Sequence, residues 1–113
     1  MIIIAKESII NKMEEIIMIT IIAKCLLKDG LKEKFKKTSI ELIESSRKED
    51  GCISYNLYED LNNENILIFI EEWKDKEAIN SHNNSEHFKR IVTELSELYL
   101  MDPEISLYKV VYQ

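Results

Sequence analysis

Glycine and proline are scarce, with two glycines and one proline in 113 residues. No GxGxxG, GxxxxGK[ST] or GxSxG pattern is present, so phosphate-cradling nucleotide binding and serine-hydrolase chemistry lack their minimum parts. The two cysteines, Cys25 and Cys52, have no CxxC spacing and lie in apolar stretches. They read as reduced core thiols in a reducing compartment, ahead of a disulfide or a metal pair. A basic block is also missing: the net charge is -6, with Lys and Glu interspersed, which argues against a nucleic-acid surface and an anionic membrane. The Ile-rich opening, "MIIIAKESIINKMEEIIMITIIAK", is broken by Lys6, Glu7, Lys12, Glu14 and Glu15 before about 18 apolar residues accumulate, so no membrane span is expected. It also lacks the basic start, unbroken apolar stretch and small-residue cleavage site of a signal peptide. The expectation is one cytoplasmic domain acting on a small molecule.

What is present is an alternation of strand and helix patterns. "MITIIAKCLL", Met18 to Leu27, is β-branched and ends at an Asp29-Gly30 turn, so it reads as a core strand. Leu31, Phe35, Leu42 and Ser46 recur at helical spacing through "LKEKFKKTSIELIESSRK", with charges opposite, giving an amphipathic helix that ends before Gly51. Residues 52 to 73, "CISYNLYED", "LNNEN" and "ILIFIEEW", read as a β-hairpin. Asp75 is placed to cap a helix starting near Lys76. The apolar pattern pauses at Asn83-Asn84 and resumes as Phe88, Ile91, Val92, Leu95, Leu98 and Tyr99, predicting a short helix, a break and a longer helix. Asp102-Pro103 stops it, and "ISLYKVVY" is a last strand.

The order is βαββαβ, an α+β ferredoxin-like arrangement with an antiparallel sheet and helices on one face. In the second hairpin strand both alternating sets are apolar, Ile66, Ile68 and Ile70 against Leu67, Phe69 and Trp73. One face therefore meets the helices, and the other is expected to meet a second chain. Residues 1–17 form an N-terminal extension to a domain spanning 18–113. Ile9, Ile10, Met13, Ile16 and Ile17 share one helical face, and an added edge strand is the other reading of that segment.

His82 lies four residues after Ala78 and three after Ile79, so a continuous helix aims its imidazole at the sheet. It is either a core histidine bonded to a backbone carbonyl or a functional base. His87, near the start of the second helical piece, reads as a surface or capping residue. The HxxxxH spacing does not give the i, i+4 geometry of a helical zinc pair, no third soft ligand has a convincing spacing, and no metal is expected. Trp73, Tyr55, Tyr58 and Phe69 either line a cavity for a flat aromatic ligand or pack in the core or an interface. Glu71 and Glu72 are strand neighbours on opposite faces, so they do not form an acid and base pair; one is expected to be buried.

"KEDGCISYNLYED", followed by "ILIFIEEWKDKEAINSHNNSEHFK", resembles the antibiotic biosynthesis monooxygenase family, through an E-x-G-C-x-x-Y segment, a strand ending in E-x-W, and A-x-x-x-H and H-F on the helix. Glu49, Gly51, Cys52, Tyr55, Glu71, Trp73, Ala78, His82, His87 and Phe88 stand at the pattern's positions, and the likeness runs from Met18 to about Tyr112. It implies a homodimeric α+β barrel. It also implies a cofactor-independent monooxygenase that oxidises a small aromatic or quinol-type substrate with dioxygen, without flavin, haem or metal. His82 is the implied catalytic residue, and Trp73, Tyr55, Phe69 and His87 are the implied substrate contacts. The haem-degrading branch is disfavoured, because its Asn, Trp and His fall by spacing on Ala23, His82 and Val92. An isomerase branch acting on a phosphorylated signalling sugar is the alternative, with His82 as proton shuttle and Lys24 or Lys89 near the phosphate, although that branch has Tyr where Trp73 stands. A non-catalytic small-molecule-binding dimeric module is the remaining reading.

Overall fold

The computed structural model describes residues 17–112. Its elements are β1 (Ile17–Leu26), α1 (Lys32–Arg47), β2 (Cys52–Glu59), β3 (Ile66–Asp75), α2 (Lys76–Asn83), α3 (Glu86–Ser96) and β4 (Glu104–Lys109). The strands form one antiparallel sheet in the order β2-β3-β1-β4, the ferredoxin-like arrangement, with the sheet left open at β2 and β4. Of the 1–17 extension, expected to be an amphipathic helix or an added edge strand, residues 1–16 lie outside the described residues, while Ile17 opens β1.

The strand period of two decides which residues meet the helices. Ile19, Ile21, Ala23 and Cys25 of β1 and Leu67, Phe69, Glu71 and Trp73 of β3 are buried on one face. Phe35, Ser39, Leu42 and Ser46 of α1 cover that face together with Phe88, Ile91, Val92 and Leu95 of α3, at helical spacing. Each large apolar side chain buried there contributes about 1.5–3 kcal/mol. On the opposite face Ile22, Ile68 and Ile70 are half-buried and Lys24 is exposed. None of the helices among the described residues is long and apolar enough to cross a membrane.

Most boundaries fall within two residues of the sequence pattern, and two differ by three. The helix expected to include Leu98 and Tyr99 ends at Ser96. Both side chains remain buried, but Tyr99 bridges to Leu27 and the Leu100 amide donates to the Leu26 carbonyl, so strand pairing draws the chain out of the helix. The last strand, expected to run through "VVY", stops at Lys109, because pairing with β1 ends at Ile19 opposite Lys109. Val110, Val111 and Tyr112 are exposed beyond it.

Candidate functional site

Strand β3 runs into α2 without a loop, so Trp73 and His82 are placed by one continuous stretch. The Asp75 side chain accepts from the Ala78 amide at 2.8 Å and starts the helix there. At the break between α2 and α3, Ser85 Oγ donates to the His82 carbonyl at 2.7 Å and accepts from the Phe88 amide at 3.2 Å. One hydroxyl thus fixes the end that carries His82 and the start that carries His87. The turn after α1 lies directly against α2: a Cβ on Gly51 would stand 2.2 Å from Ala78 Cβ. Glycine at that position permits the approach that brings Glu49 to the histidines.

Glu49 Oε2 lies 2.6 Å from His82 Nδ1 and 2.7 Å from His87 Nε2. Burial works to raise the Glu49 carboxyl, but the His82 hydrogen bond and charge, followed by those of His87, outweigh it and hold the group below its ordinary value. The oxygen is therefore an ionised acceptor, and both imidazole nitrogens donate to it. When the His82 ring is neutral with its proton on Nδ1, Nε2 is its acceptor nitrogen; that atom is buried and has no hydrogen-bond partner among the described residues.

Aromatic rings enclose this nitrogen's imidazole. The His82 ring centroid lies 4.4 Å from Trp73, 4.7 Å from Phe88 and 5.5 Å from Tyr55, and Tyr55 is 5.8 Å from Phe69. His82 and Trp73 have no exposed surface, and Tyr55 and Phe69 keep 2% each. Glu71 is the buried member of the Glu71-Glu72 pair and accepts from Trp73 Nε1 at 2.9 Å; Glu72 is half-buried and accepts from Ser54 Oγ at 2.8 Å. Desolvation raises the Glu71 carboxyl, against the opposing influence of the His82 charge and the Trp73 hydrogen bond. Burial also lifts the thiols, Cys25 to about 12 and Cys52 to about 11, so neither is a reactive thiolate.

The structure brings Trp73, Tyr55, Phe69 and His82 together, with His87 at the rim, its side chain 20% exposed. His87 is not the cap of α3; Ser85 is. Tyr58 does not join the group. It lies three strand residues from Tyr55, which turns it to the opposite face, where it is 48% exposed. Lys24 is exposed on that same far face, with the sheet between it and His82, and Lys89 is exposed on α3. The group that spacing alone does not assign is Glu49, 33 residues from His82 and 38 from His87. Its only sequence signal is the E-x-G-C-x-x-Y motif. Glu49, His82 and His87 are also the described residues able to hold a metal ion, one ligand atom each within 4.8 Å of one another.

The sequence pattern described as Antibiotic biosynthesis monooxygenase matches residues 18–94. The uncharacterized Synechocystis protein sll1783 is 37% identical over 84 residues, 74% of this chain; the chain spans only 57% of that relative's length. A Bacillus subtilis protein named "Putative monooxygenase YcnE" is 35% identical over 81 residues, covering 72% of this chain and 85% of its own. Among solved structures, a conserved protein from Methanosarcina mazei superposes with a TM-score of 0.80 at 38% identity, over 85% of this chain and 95% of that one. With the family pattern spanning residues 18–94, more than half of the sequence, the chain belongs to the antibiotic biosynthesis monooxygenase family.

Proposed function

We propose that the protein is a cofactor-independent monooxygenase that oxidises a small quinol-type aromatic with dioxygen, using His82 as its base. The observation that carries this reading is the His82 ring itself: Nδ1 lies on the Glu49 carboxylate, and Nε2, an acceptor in the neutral ring, is buried among Trp73, Tyr55 and Phe88 with no partner among the described residues. A buried polar atom without a partner costs about 1–3 kcal/mol, and a phenolic O–H of a bound substrate supplies that partner. Proton transfer to Nε2 forms an imidazolium that Glu49 stabilises and an electron-rich phenolate that reduces dioxygen directly. For a simple quinol, one oxygen atom enters the ring as the hydroxyl of a hydroxyquinone, and the other leaves as water with two hydrogens from the substrate. Trp73, Tyr55 and Phe69 are the aromatic wall, and His87 is the polar contact at the rim. Access requires these rings to part, and the break at Asn84-Ser85 is the joint beside His82. The name of the Bacillus subtilis relative and the family pattern matched by this chain agree with oxygenation.

The functional unit proposed is a homodimer in which the half-buried isoleucines of the open sheet face meet a second copy. The test is oxygen uptake by the purified protein with a panel of quinols, corrected for autoxidation. His82→Ala should lower turnover roughly a hundredfold or more while the protein stays folded. Equal turnover by the variant removes His82 from the chemistry and the reading with it.

A further inference from the structure

We infer that Glu49, His82 and His87 form a binding site for one divalent transition-metal ion of the zinc class. The inference goes beyond the proposed oxygenation and does not depend on it.

Two imidazoles and one carboxylate are the donor set that zinc and its first-row neighbours take from proteins; calcium and magnesium prefer all-oxygen sites. The three atoms concerned, Glu49 Oε2, His82 Nδ1 and His87 Nε2, lie within 4.8 Å of one another. They come from three separately anchored pieces of backbone. Glu49 sits in a turn closed by its amide on the Ser46 carbonyl at 3.0 Å and by the Cys52 amide on its own carbonyl at 3.1 Å. The His82 carbonyl is held by Ser85, and His87 rides on the first turn of α3. Ligands about 2.0–2.1 Å from a common ion are about 3.0 Å apart at right angles and about 3.3 Å apart in a tetrahedron. The two hydrogen-bonded pairs, at 2.6 and 2.7 Å, need to open by roughly 0.3–0.7 Å to reach that spacing, and the two imidazole nitrogens, within 4.8 Å of each other, close toward it as the ion replaces the shared protons.

The surroundings suit an ion with open positions. His82 closes the inner side with no exposed surface, while the Glu49 and His87 side chains keep 15% and 20% of theirs, so water reaches the outer side and completes the coordination. No net proton need leave: an ion on Nδ1 of His82 and Nε2 of His87 moves each imidazole proton to the other ring nitrogen. His82 Nε2 then becomes an N–H donor, and the ion-loaded site lacks the acceptor that the ion-free site has.

The experiment is calorimetric titration of the chelator-stripped full chain with Zn2+, repeated by competition with a chromophoric chelator and by the visible absorption of added Co2+. The variants are Glu49→Gln and His87→Gln, both at the partly exposed rim, with circular dichroism as the check on folding. One ion per chain is expected, with at least tenfold weaker binding in each folded variant and a changed Co2+ spectrum. Absence of saturable binding, or wild-type affinity in either variant, overturns the inference. Should quinol turnover survive in His82→Ala while Zn2+ binding behaves as expected, the oxygenation reading falls and the metal site stands. The reverse pattern sinks the metal site alone.

Discussion

His82 has no surface, yet one of its ring nitrogens is unpartnered and the other is fixed. Ser39 Oγ, Ser46 Oγ and Asn83 Oδ1 are likewise buried without a partner among the described residues, so what singles out His82 as the candidate base is the combination of Nδ1 held on a carboxylate with an aromatic enclosure. Glu71 shows the opposite arrangement: it is buried, accepts from Trp73, and its carboxyl is pushed above the ordinary 4.5 by desolvation. The folded state therefore holds that proton over a pH range in which the unfolded chain has released it, so folding stability falls as pH rises from the unfolded value through the folded one. Glu71→Gln keeps an acceptor for the indole and removes the ionisation. Urea unfolding should show the variant gaining on wild type as pH rises above the ordinary carboxylate range, and a difference that stays constant with pH would contradict the account. At this scale the inward placement of His82 was legible from its spacing to Ala78 and Ile79. The partner on Nδ1 was not, because contacts across 33 residues leave no periodicity to read.

Among the elements, the break between α2 and α3 does more than separate two helices. Ser85 caps the second and ties down the last carbonyl-bearing residue of the site in the first. Ser85→Ala should cost about 1 kcal/mol of stability through the lost cap. It should also weaken the hold of Glu49 on His82 and His87, read as a shift of both imidazole signals in the NMR spectrum; unmoved signals would show the cap to be local. The pause at Asn83-Asn84 announced this break, since polar residues interrupt the apolar period there. The helix end at Ser96 was hidden for the reverse reason. Leu98 and Tyr99 stay apolar and buried, so the pattern continues while the backbone leaves the helix to pair with β1. In the same way "VVY" has strand composition without a strand to pair with, since the β1–β4 ladder ends at Lys109. Composition reports burial and propensity, and pairing is decided by register.

On the scale of the molecule, the βαββαβ order was legible because each strand and helix carries a clean period, and the doubly apolar β3 announced a sheet with two demanding faces. Three helices cover one face. The other carries Ile22, Ile68 and Ile70 half-buried, and it is the surface on which the proposed homodimer rests. Ile70→Asp should convert a dimer to a monomer in light scattering with its secondary structure intact; an unchanged mass would place the interface elsewhere. In the proposed reaction one atom of dioxygen is inserted into an aromatic substrate without a cofactor. The direct measurement is turnover of a quinol under 18O2 by the metal-stripped protein, followed by mass spectrometry of the product. One labelled oxygen atom per product molecule, formed faster than by autoxidation and lost in His82→Ala, is the predicted result. Unlabelled product, or no product above autoxidation, would contradict it.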